Sequence, residues 1–198
     1  FLITIAGRVL MNSVARRSEE ALGQLAATAL GSVAAPRVLL GGLGMGITLR
    51  SVLDGLPAAA EVEVAEINEV VCRWCEGPLA DLTQGAVADP RVRLIVDDVA
   101  RVVARASSGP ATGRYDALVF DLHEGPHAKT DAQRDPLYGA AALAQQRRAL
   151  RRGGLLAVWG EAPDAGYLRR LAAAGFTELR TLRPGRGGLR HVVYLGRC

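Results

Sequence analysis

Four glycines in one short stretch are the first residues whose types and spacing suit chemistry: Gly41, Gly42, Gly44 and Gly46. Glycine adopts positive φ without strain and has no Cβ, so a glycine-rich turn lets the backbone lie directly against a ligand. A helix predicted to begin near Thr48 would direct its unpaired N–H groups toward the same place. These features together predict a binding site for a nucleoside-type ligand.

Glu66 is the carboxylate expected to complete that site. It falls twenty residues after Gly46 at the end of a predicted strand, where it can accept hydrogen bonds from both hydroxyls of a ribose. Ile67 follows it as a further cofactor-binding candidate. The G-x-G-x-G spacing departs from the dinucleotide fingerprint, because the sixth position is Ile47, and the only lysine, Lys129, lies in no P-loop. The pattern favours S-adenosylmethionine or a relative of it.

Two acidic residues follow the strand predicted at 92–96. Asp97 and Asp98 come directly after its last apolar residue, and both are candidates for binding the same cofactor. Ligands of open parallel sheets bind outside the carboxyl ends of the strands, so these side chains are expected near Glu66.

Asp121 is the first candidate for a catalytic base. It follows the run 115–120, which is apolar apart from Asp116 and is typical of a strand buried on both faces, and it is expected to contact the cofactor as well. His123 and Glu124 follow in a polar loop and are the other catalytic candidates. A carboxylate or imidazole beside a nucleophile can take the proton that the nucleophile must lose.

Hydrophobic periodicity predicts that strands and helices alternate along the chain. Five α/β repeats are followed by two strands joined by a short connection at 184–188, which makes those two strands antiparallel neighbours. The predicted fold is therefore α/β: a Rossmann-like class I methyltransferase fold, with a seven-stranded mostly parallel sheet and a C-terminal antiparallel hairpin. Residues 1–30 are predicted to form an N-terminal strand or hairpin remnant and a helix, and residues 31–198 the catalytic domain.

A helix predicted over 68–82 contains two of the three cysteines. Cys72 and Cys75 have no second cysteine pair, and the histidines lie far along the chain, so buried thiols in a reducing compartment are favoured over a zinc or redox site. We predict no metal site. Four apolar residues of this helix are expected to be buried: Val70, Val71, Trp74 and Leu79.

Composition excludes several classes of function. The chain has 198 residues, is 49% hydrophobic and carries a net charge of +4, which suits a single domain with a substantial core. Its arginines are spread along the sequence and aromatic residues make up 5%, so no nucleic-acid partner is predicted. No apolar run approaches the roughly 18 residues of a membrane span, and no signal peptide is evident. A cytoplasmic location is expected.

Several motifs resemble the spermidine synthase (aminopropyltransferase) branch of the S-adenosylmethionine-dependent methyltransferase fold. GGLGMGITLR at 41–50 resembles its glycine turn, and DPRVRLIVDD at 89–98 resembles the stretch whose aspartate contacts adenine, which makes Asp98 the counterpart. YDALVFDLHEGPHA at 115–128 resembles its D-x-x-D loop, and SEEAL at 18–22 resembles its Y-H-E-x-L helix. The resemblance implies S-adenosylmethionine or decarboxylated S-adenosylmethionine as cofactor, a small-molecule acceptor such as an amine, and a homodimer.

The departures from that family concern its chemistry. Glu124 replaces the second carboxylate of the D-x-x-D loop, and Ser18 and Glu19 stand where tyrosine and histidine are expected. The glutamine of the amine pocket appears as Leu10 or Asn12, depending on the alignment. Methyl-type transfer to a small nucleophile is therefore ranked first. Aminopropyl transfer to an amine and a catalytically silent binding module are the alternatives.

Overall fold

The fold was analysed in a computed structural model that describes residues 1–5, 7–184 and 191–198. Nine strands and six helices are defined in these residues. The strands are β1 (Leu2–Ile5), β2 (Arg8–Asn12), β3 (Arg37–Gly41), β4 (Glu61–Glu66), β5 (Val92–Val96), β6 (Tyr115–Phe120), β7 (Leu150–Gly160), β8 (Thr177–Leu182) and β9 (Val192–Arg197). The helices are α1 (Arg17–Ala29), α2 (Ile47–Gly55), α3 (Glu69–Glu76), α4 (Val99–Ser108), α5 (Ala140–Ala149) and α6 (Ala165–Ala173).

Seven strands form one sheet in the order β5-β4-β3-β6-β7-β9-β8. The pairs from β5 to β7 are parallel, whereas β9 pairs antiparallel with both β7 and β8. The predicted fold class is thereby confirmed. The connection predicted at 184–188 lies mostly outside the described residues. Because β9 runs antiparallel to β7, its first residues lie at the edge of the sheet where β6 and β7 end.

Side-chain alternation along β6 divides the core into two layers. Ala117 and Val119 pack in the layer under α1 and α2, whereas Leu118 and Phe120 pack in the layer on the opposite face. Successive side chains of a strand point to opposite faces, so the side chain of the next residue, Asp121, points to the face covered by α1 and α2. This alternation decides which side chains can meet at the end of the sheet.

Helices α1 and α2 approach each other closely because glycines lie at their contact. A Cβ on Gly23 would lie 2.5 Å from the Cβ of Ser51, and one on Gly55 would lie 2.6 Å from the Cβ of Ala27. Backbones can approach this closely only where one partner has no side chain. The first turn of α1 is thereby held beside the start of α2.

The N-terminal hairpin of β1 and β2 forms a separate two-stranded sheet. Ile3 is buried in the core under α1, and Met11 packs against that core. The division into residues 1–30 and 31–198 stays a prediction. Within the described ranges, no helix has the length and apolar character that crossing a membrane requires.

Candidate active site

The glycine loop follows β3 and contains three residues in the left-handed region. Gly42 has φ 86°, Gly44 has φ 52° and Gly46 has φ 79°. A Cβ on Gly42 would lie 2.2 Å from the carbonyl oxygen of Asp121, so the loop lies directly against the segment that follows β6. Gly41 is confined by packing instead, because a Cβ there would lie 2.8 Å from Val99 Cγ2.

Glu66 is a buried carboxylate that ties this loop to the end of β4. Its Oε2 accepts a hydrogen bond from Leu43 N–H and its Oε1 accepts one from Asn68 N–H, each at 2.9 Å. A carboxylate offers about four acceptor positions, so each oxygen can accept a further hydrogen bond. The residue can therefore bind two neighbouring hydroxyls and still anchor the loop.

An apolar surface lies beside Glu66 at the same edge. Ile67 is 72% exposed and Val96 is 53% exposed, although both are large hydrophobic side chains. Val96 pairs with Glu66 in the sheet register, which places it at the end of the neighbouring strand. Exposed apolar side chains next to a buried carboxylate fit a ligand that has a flat ring joined to a sugar.

The two aspartates after β5 differ in what they bind. Asp98 Oδ1 accepts a hydrogen bond from Ala100 N–H and caps α4. Asp97 accepts hydrogen bonds from Arg105 and Arg101 at 2.8 and 2.7 Å, and the Arg105 bond is the main cause of its lowered pKa. Asp97 is thus engaged in surface ion pairs, whereas Oδ2 of Asp98 accepts no hydrogen bond from the described residues. Their cofactor-binding roles stay predictions.

We expect Glu66→Ala to weaken binding of an adenosine-type donor by about 1–3 kcal/mol, through loss of charge-assisted hydrogen bonds. Isothermal titration calorimetry with S-adenosylmethionine measures this change. Because the alanine variant also frees Leu43 N–H, Glu66→Gln serves as the matched variant that keeps a hydrogen-bonding side chain. Unchanged donor affinity in both variants would contradict the ribose role.

Asp121 lies at the end of β6 with its side chain directed at α2. Its Oδ2 accepts a hydrogen bond from Thr48 Oγ1 at 2.5 Å. Burial raises the pKa of Asp121 to about 7; the Thr48 hydrogen bond acts in the opposite direction, and the negative charge of Glu19 raises it further. A carboxylate with a pKa near neutrality can both accept and release a proton at physiological pH. This property suits the predicted base.

His123 and Glu124 lie in the loop that follows. Glu124 has φ 62°, and its two oxygens lie 3.7 Å from His123 Nε2 and 3.6 Å from His127 Nε2. The His123 side chain is 61% exposed, so this cluster is open to solvent and its ion pairs contribute little stability. The structure places these side chains in one cluster, and their catalytic roles stay predictions.

Sequence reasoning missed a second polar cluster on the α1–α2 side of the same edge. His191 Nδ1 lies 2.8 Å from Ser18 Oγ, and Ser18 donates a hydrogen bond to Glu19 Oε2 at 2.7 Å. The rings of His191 and Trp159 pack against each other at an interplanar angle of 67°, with 4.9 Å between their centroids. Thr48 Oγ1 joins this cluster to the base candidate, since it lies 3.3 Å from the Glu19 carbonyl oxygen. Because Ser18 and His191 are 173 residues apart, no local sequence pattern indicates that they meet.

The residues considered for the amine pocket near the N-terminus have other surroundings. The Leu10 side chain lies outside the described residues. Asn12 Oδ1 accepts hydrogen bonds from Val14 and Ala15 N–H groups, so it stabilises a turn. A Cβ on Gly44 would lie 3.1 Å from the sulfur of Met11, so the hairpin covers part of the glycine loop.

Both cysteines of α3 are buried, and their thiols have raised pKa values. Burial raises the pKa of Cys75 to about 12, with smaller contributions from Cys72 and nearby glutamates. Cys75 Sγ donates a hydrogen bond to the carbonyl oxygen of Gly44 at 3.3 Å. These thiols are therefore unreactive at neutral pH. In the part of the chain that the structure covers, no three metal-ligating side chains converge on one point.

Curated proteins similar in sequence include two aminopropyltransferases. Polyamine aminopropyltransferase 1 of Pseudomonas aeruginosa is 31% identical over 132 residues, which are 66% of this chain and 42% of that protein. Polyamine aminopropyltransferase of Mycobacterium tuberculosis is 30% identical over 126 residues, which are 64% of this chain and 23% of that protein. The chain thus spans less than half the length of these curated relatives. No protein-family model matches it.

Solved structures with the same fold include a spermidine synthase and a methyltransferase. Thermotoga maritima spermidine synthase aligns with a TM-score of 0.75 at 18% identity, over 99% of this chain and 65% of that chain. Human methyltransferase-like protein 13 in complex with SAH aligns with a TM-score of 0.64 at 18% identity, over 91% of this chain and 79% of that chain. At these identities the structures establish the Rossmann-like methyltransferase fold alone. With the curated relatives, they confirm the resemblance to spermidine synthases predicted from the sequence.

Proposed function

We propose that this chain is a group transferase that moves an aminopropyl group from decarboxylated S-adenosylmethionine to a small amine. Two relatives of similar sequence are named polyamine aminopropyltransferases, which supports this reaction over methyl transfer, the option ranked first from the sequence. Spermidine synthase also shares the fold over 99% of this chain. Because the relatives are much longer, the activity is a proposal for this chain.

The donor half of the site has the groups that an adenosine ligand requires. Glu66 keeps free acceptor positions for ribose hydroxyls, and Ile67 offers an apolar surface for the adenine ring. Asp98 Oδ2 can accept a hydrogen bond from the exocyclic amino group of adenine. When bound, the donor supplies a sulfonium whose carbon–sulfur bond is open to displacement by a nucleophile.

The observation that carries the proposal is a pair of carboxylates on the acceptor side. Thr48 Oγ1 donates a hydrogen bond to the Asp121 carboxylate and lies 3.3 Å from the main-chain carbonyl oxygen of Glu19, and the charge of Glu19 acts on Asp121. Neither carboxylate forms an ion pair with a lysine or arginine among the described residues. Their negative charge disfavours the carboxylate tail of S-adenosylmethionine and favours a tail that carries only an amine. The same charge attracts an amine acceptor, which is a cation at neutral pH.

The chemistry requires the acceptor nitrogen to lose a proton. As the amine lone pair forms a bond to the aminopropyl carbon, the carbon–sulfur bond breaks and its electrons stay on sulfur, which leaves a neutral thioether. Asp121 is the proposed proton acceptor, because its pKa of about 7 allows it to be ionised before the transfer and protonated after it. Thr48 holds this carboxylate in place.

Calorimetry with the two donors tests the proposal. We expect decarboxylated S-adenosylmethionine to bind about tenfold or more tightly than S-adenosylmethionine, which is a difference of about 1.4 kcal/mol. Preference for the carboxylated donor would instead support methyl transfer, and failure to bind either would support a silent binding module. A cytoplasmic location and a homodimer remain predictions.

A further inference from the structure

The N-terminal hairpin is joined to the rest of the protein by side-chain packing. Among the described residues, its hydrogen bonds run between β1 and β2 or into the turn that follows, and none reaches the glycine loop or a helix. Leu2 and Val9 are exposed, whereas Ile3 is buried in the core and Met11 packs against that core. An isolated two-stranded hairpin is only marginally stable in water, so its attachment depends on Ile3 and Met11.

Met11 is the side chain that meets the glycine loop. A Cβ on Gly44 would lie 3.1 Å from the sulfur of Met11 and 3.3 Å from its Cε, so the thioether packs where a side chain at position 44 would lie. On the other side, the carbonyl oxygen of Gly44 accepts a hydrogen bond from Cys75 Sγ at 3.3 Å. The main chain at Gly44 is therefore flanked by a thioether and a thiol from distant parts of the sequence.

The five sulfur atoms of the chain, in two methionines and three cysteines, differ in their access to solvent. Met45 is fully buried, and Cys72 and Cys75 are buried as well. Met11 and Cys198 are only partly buried. Because the oxidation of a sulfur follows its exposure, these two residues are the ones that a dissolved oxidant can reach. Of the two, Met11 is the one that lies on the glycine loop.

We propose that Met11 is an oxidation site whose conversion to the sulfoxide releases the hairpin from the glycine loop and weakens donor binding there. The inference rests on the proposed donor site and adds a means of regulating it. With hydrogen peroxide as oxidant, a sulfur lone pair attacks one peroxide oxygen and the O–O bond breaks. The first oxygen stays on sulfur, and the second leaves as hydroxide and takes up the proton to become water. Sulfur loses two electrons and peroxide gains them.

Oxidation would change the contact at Gly44 from apolar to polar. A thioether suits this contact because it is flexible and nearly apolar. Even one carbon added to Gly44 would meet the thioether at 3.1 Å, so an added oxygen has little room on that side. A buried polar group without a hydrogen-bond partner is unfavourable, so the sulfoxide should turn toward water. The donor must then order the uncovered loop itself, which lowers its affinity.

The test measures donor affinity before and after peroxide treatment of each full-length protein. Peroxide is added until peptide mapping shows one added oxygen on Met11 and none on Met45. Decarboxylated S-adenosylmethionine and S-adenosylmethionine are the calorimetric probes. Met11→Leu removes the sulfur and keeps an apolar side chain, whereas Met11→Gln places a polar side chain of similar length there without oxidation. Cys198→Ser is the matched control, because it removes the other partly exposed sulfur at the far end of β9.

We expect wild type and Cys198→Ser to bind the donor about 5–20-fold more weakly once Met11 is oxidised. Met11→Leu should have the same affinity before and after the same dose of peroxide, and untreated Met11→Gln should resemble oxidised wild type. Amide hydrogen exchange in β2 and the glycine loop should be about tenfold faster in oxidised wild type. Unchanged exchange in β7 would distinguish release of the hairpin from unfolding.

Unchanged donor affinity after full conversion of Met11 would overturn the inference, as would an equal loss of affinity in peroxide-treated Met11→Leu. The outcome is separable from that of the proposed function. If the untreated protein binds a donor but transfers no aminopropyl group, only the reaction fails, and the change in affinity on oxidation still decides the role of Met11. If it binds neither donor, the proposed function fails, and the exchange measurement decides whether oxidation of Met11 releases the hairpin.

Discussion

Replacing Asp121 with asparagine is expected to lower kcat by about 10²–10⁴-fold in a variant that still binds the donor. Asparagine has nearly the same shape and its amide oxygen can still accept the hydrogen bond from Thr48, but it cannot take a proton from the acceptor amine. Steady-state kinetics with decarboxylated S-adenosylmethionine and a diamine measure the loss. Near-normal turnover in the variant would remove Asp121 from its catalytic role.

The pH dependence gives an independent readout of the same substitution. Because the pKa of Asp121 is about 7, the proton-accepting form increases as pH rises, so wild-type kcat/KM should increase through pH 7. The kcat/KM of Asp121→Asn should not show this increase with pH. Asp131→Asn is the matched control in the same long loop, since Asp131 caps a turn by accepting from the Gln133 and Arg134 N–H groups and asparagine can do the same.

As pH rises through 7, the free energy of unfolding should fall while kcat/KM increases. The pKa of Asp121 is higher in the folded protein than its ordinary value of 3.8, so the folded state holds this proton more tightly than the unfolded chain. Its contribution to stability is present below about pH 4 and is lost as pH rises through about 7. Asp121→Asn should therefore be more stable than wild type at pH 8, by about 1–3 kcal/mol, and not at pH 4. Denaturant unfolding at the two pH values measures the difference.

Gly42→Ala is expected to lower the free energy of unfolding by about 3 kcal/mol or more and to weaken donor binding. The alanine would adopt φ 86°, and its Cβ would lie 2.2 Å from the carbonyl oxygen of Asp121. Since that neighbour is backbone, the glycine loop or the end of β6 must shift. Chemical denaturation and calorimetry with the donor measure the two effects.

Gly153→Ala is the control for backbone strain alone. Gly153 has φ 76°, and a Cβ there would meet no atom within 4 Å. Its substitution should cost about 1 kcal/mol and leave donor affinity unchanged. Equal destabilisation by the two substitutions would show that the contact with Asp121 does not constrain the loop.

The elements that carry the proposed donor half could be predicted from sequence, because they depend on local spacing. The glycine loop, the helix after it and Glu66 lie within one βαβ unit, and the strand predicted at 115–120 has the same bounds as β6. The same alternation of elements predicted the mostly parallel sheet and its antiparallel hairpin, which are confirmed. In such a unit, each residue is placed by its near neighbours in the chain.

Predictions about helix faces were less accurate. Val70 and Trp74 were expected to be buried but are each 38% exposed, whereas the expected burial of Leu79, Cys72 and Cys75 is confirmed. Helix α3 has only eight residues and ends at Glu76, so its pattern covers about two turns and does not define a face reliably. The small thiols, which pack closely against the glycine loop, occupy the inner face.

The acceptor half could not be predicted because its residues are distant in sequence. Ser18 resembles a helix cap, yet α1 begins at Arg17 and its N-cap is Arg16. The Ser18 hydroxyl instead contacts Glu19 and His191. His191 immediately precedes β9, which returns antiparallel to the edge of the sheet where β7 ends. Only the tertiary pairing of the last strand brings these groups together.

Strand β9 is the last strand of the chain and runs antiparallel to β7. This placement affects the order in which the parts of the site can form during translation. Ser18 and His191 are 173 residues apart, so their contact cannot form until the ribosome has released nearly the whole chain. The glycine loop and Glu66 need only the first third of the polypeptide for their mutual contacts. A chain that ends before β9 would thus keep the residues that join the glycine loop to Glu66 and lose the contact between Ser18 and His191.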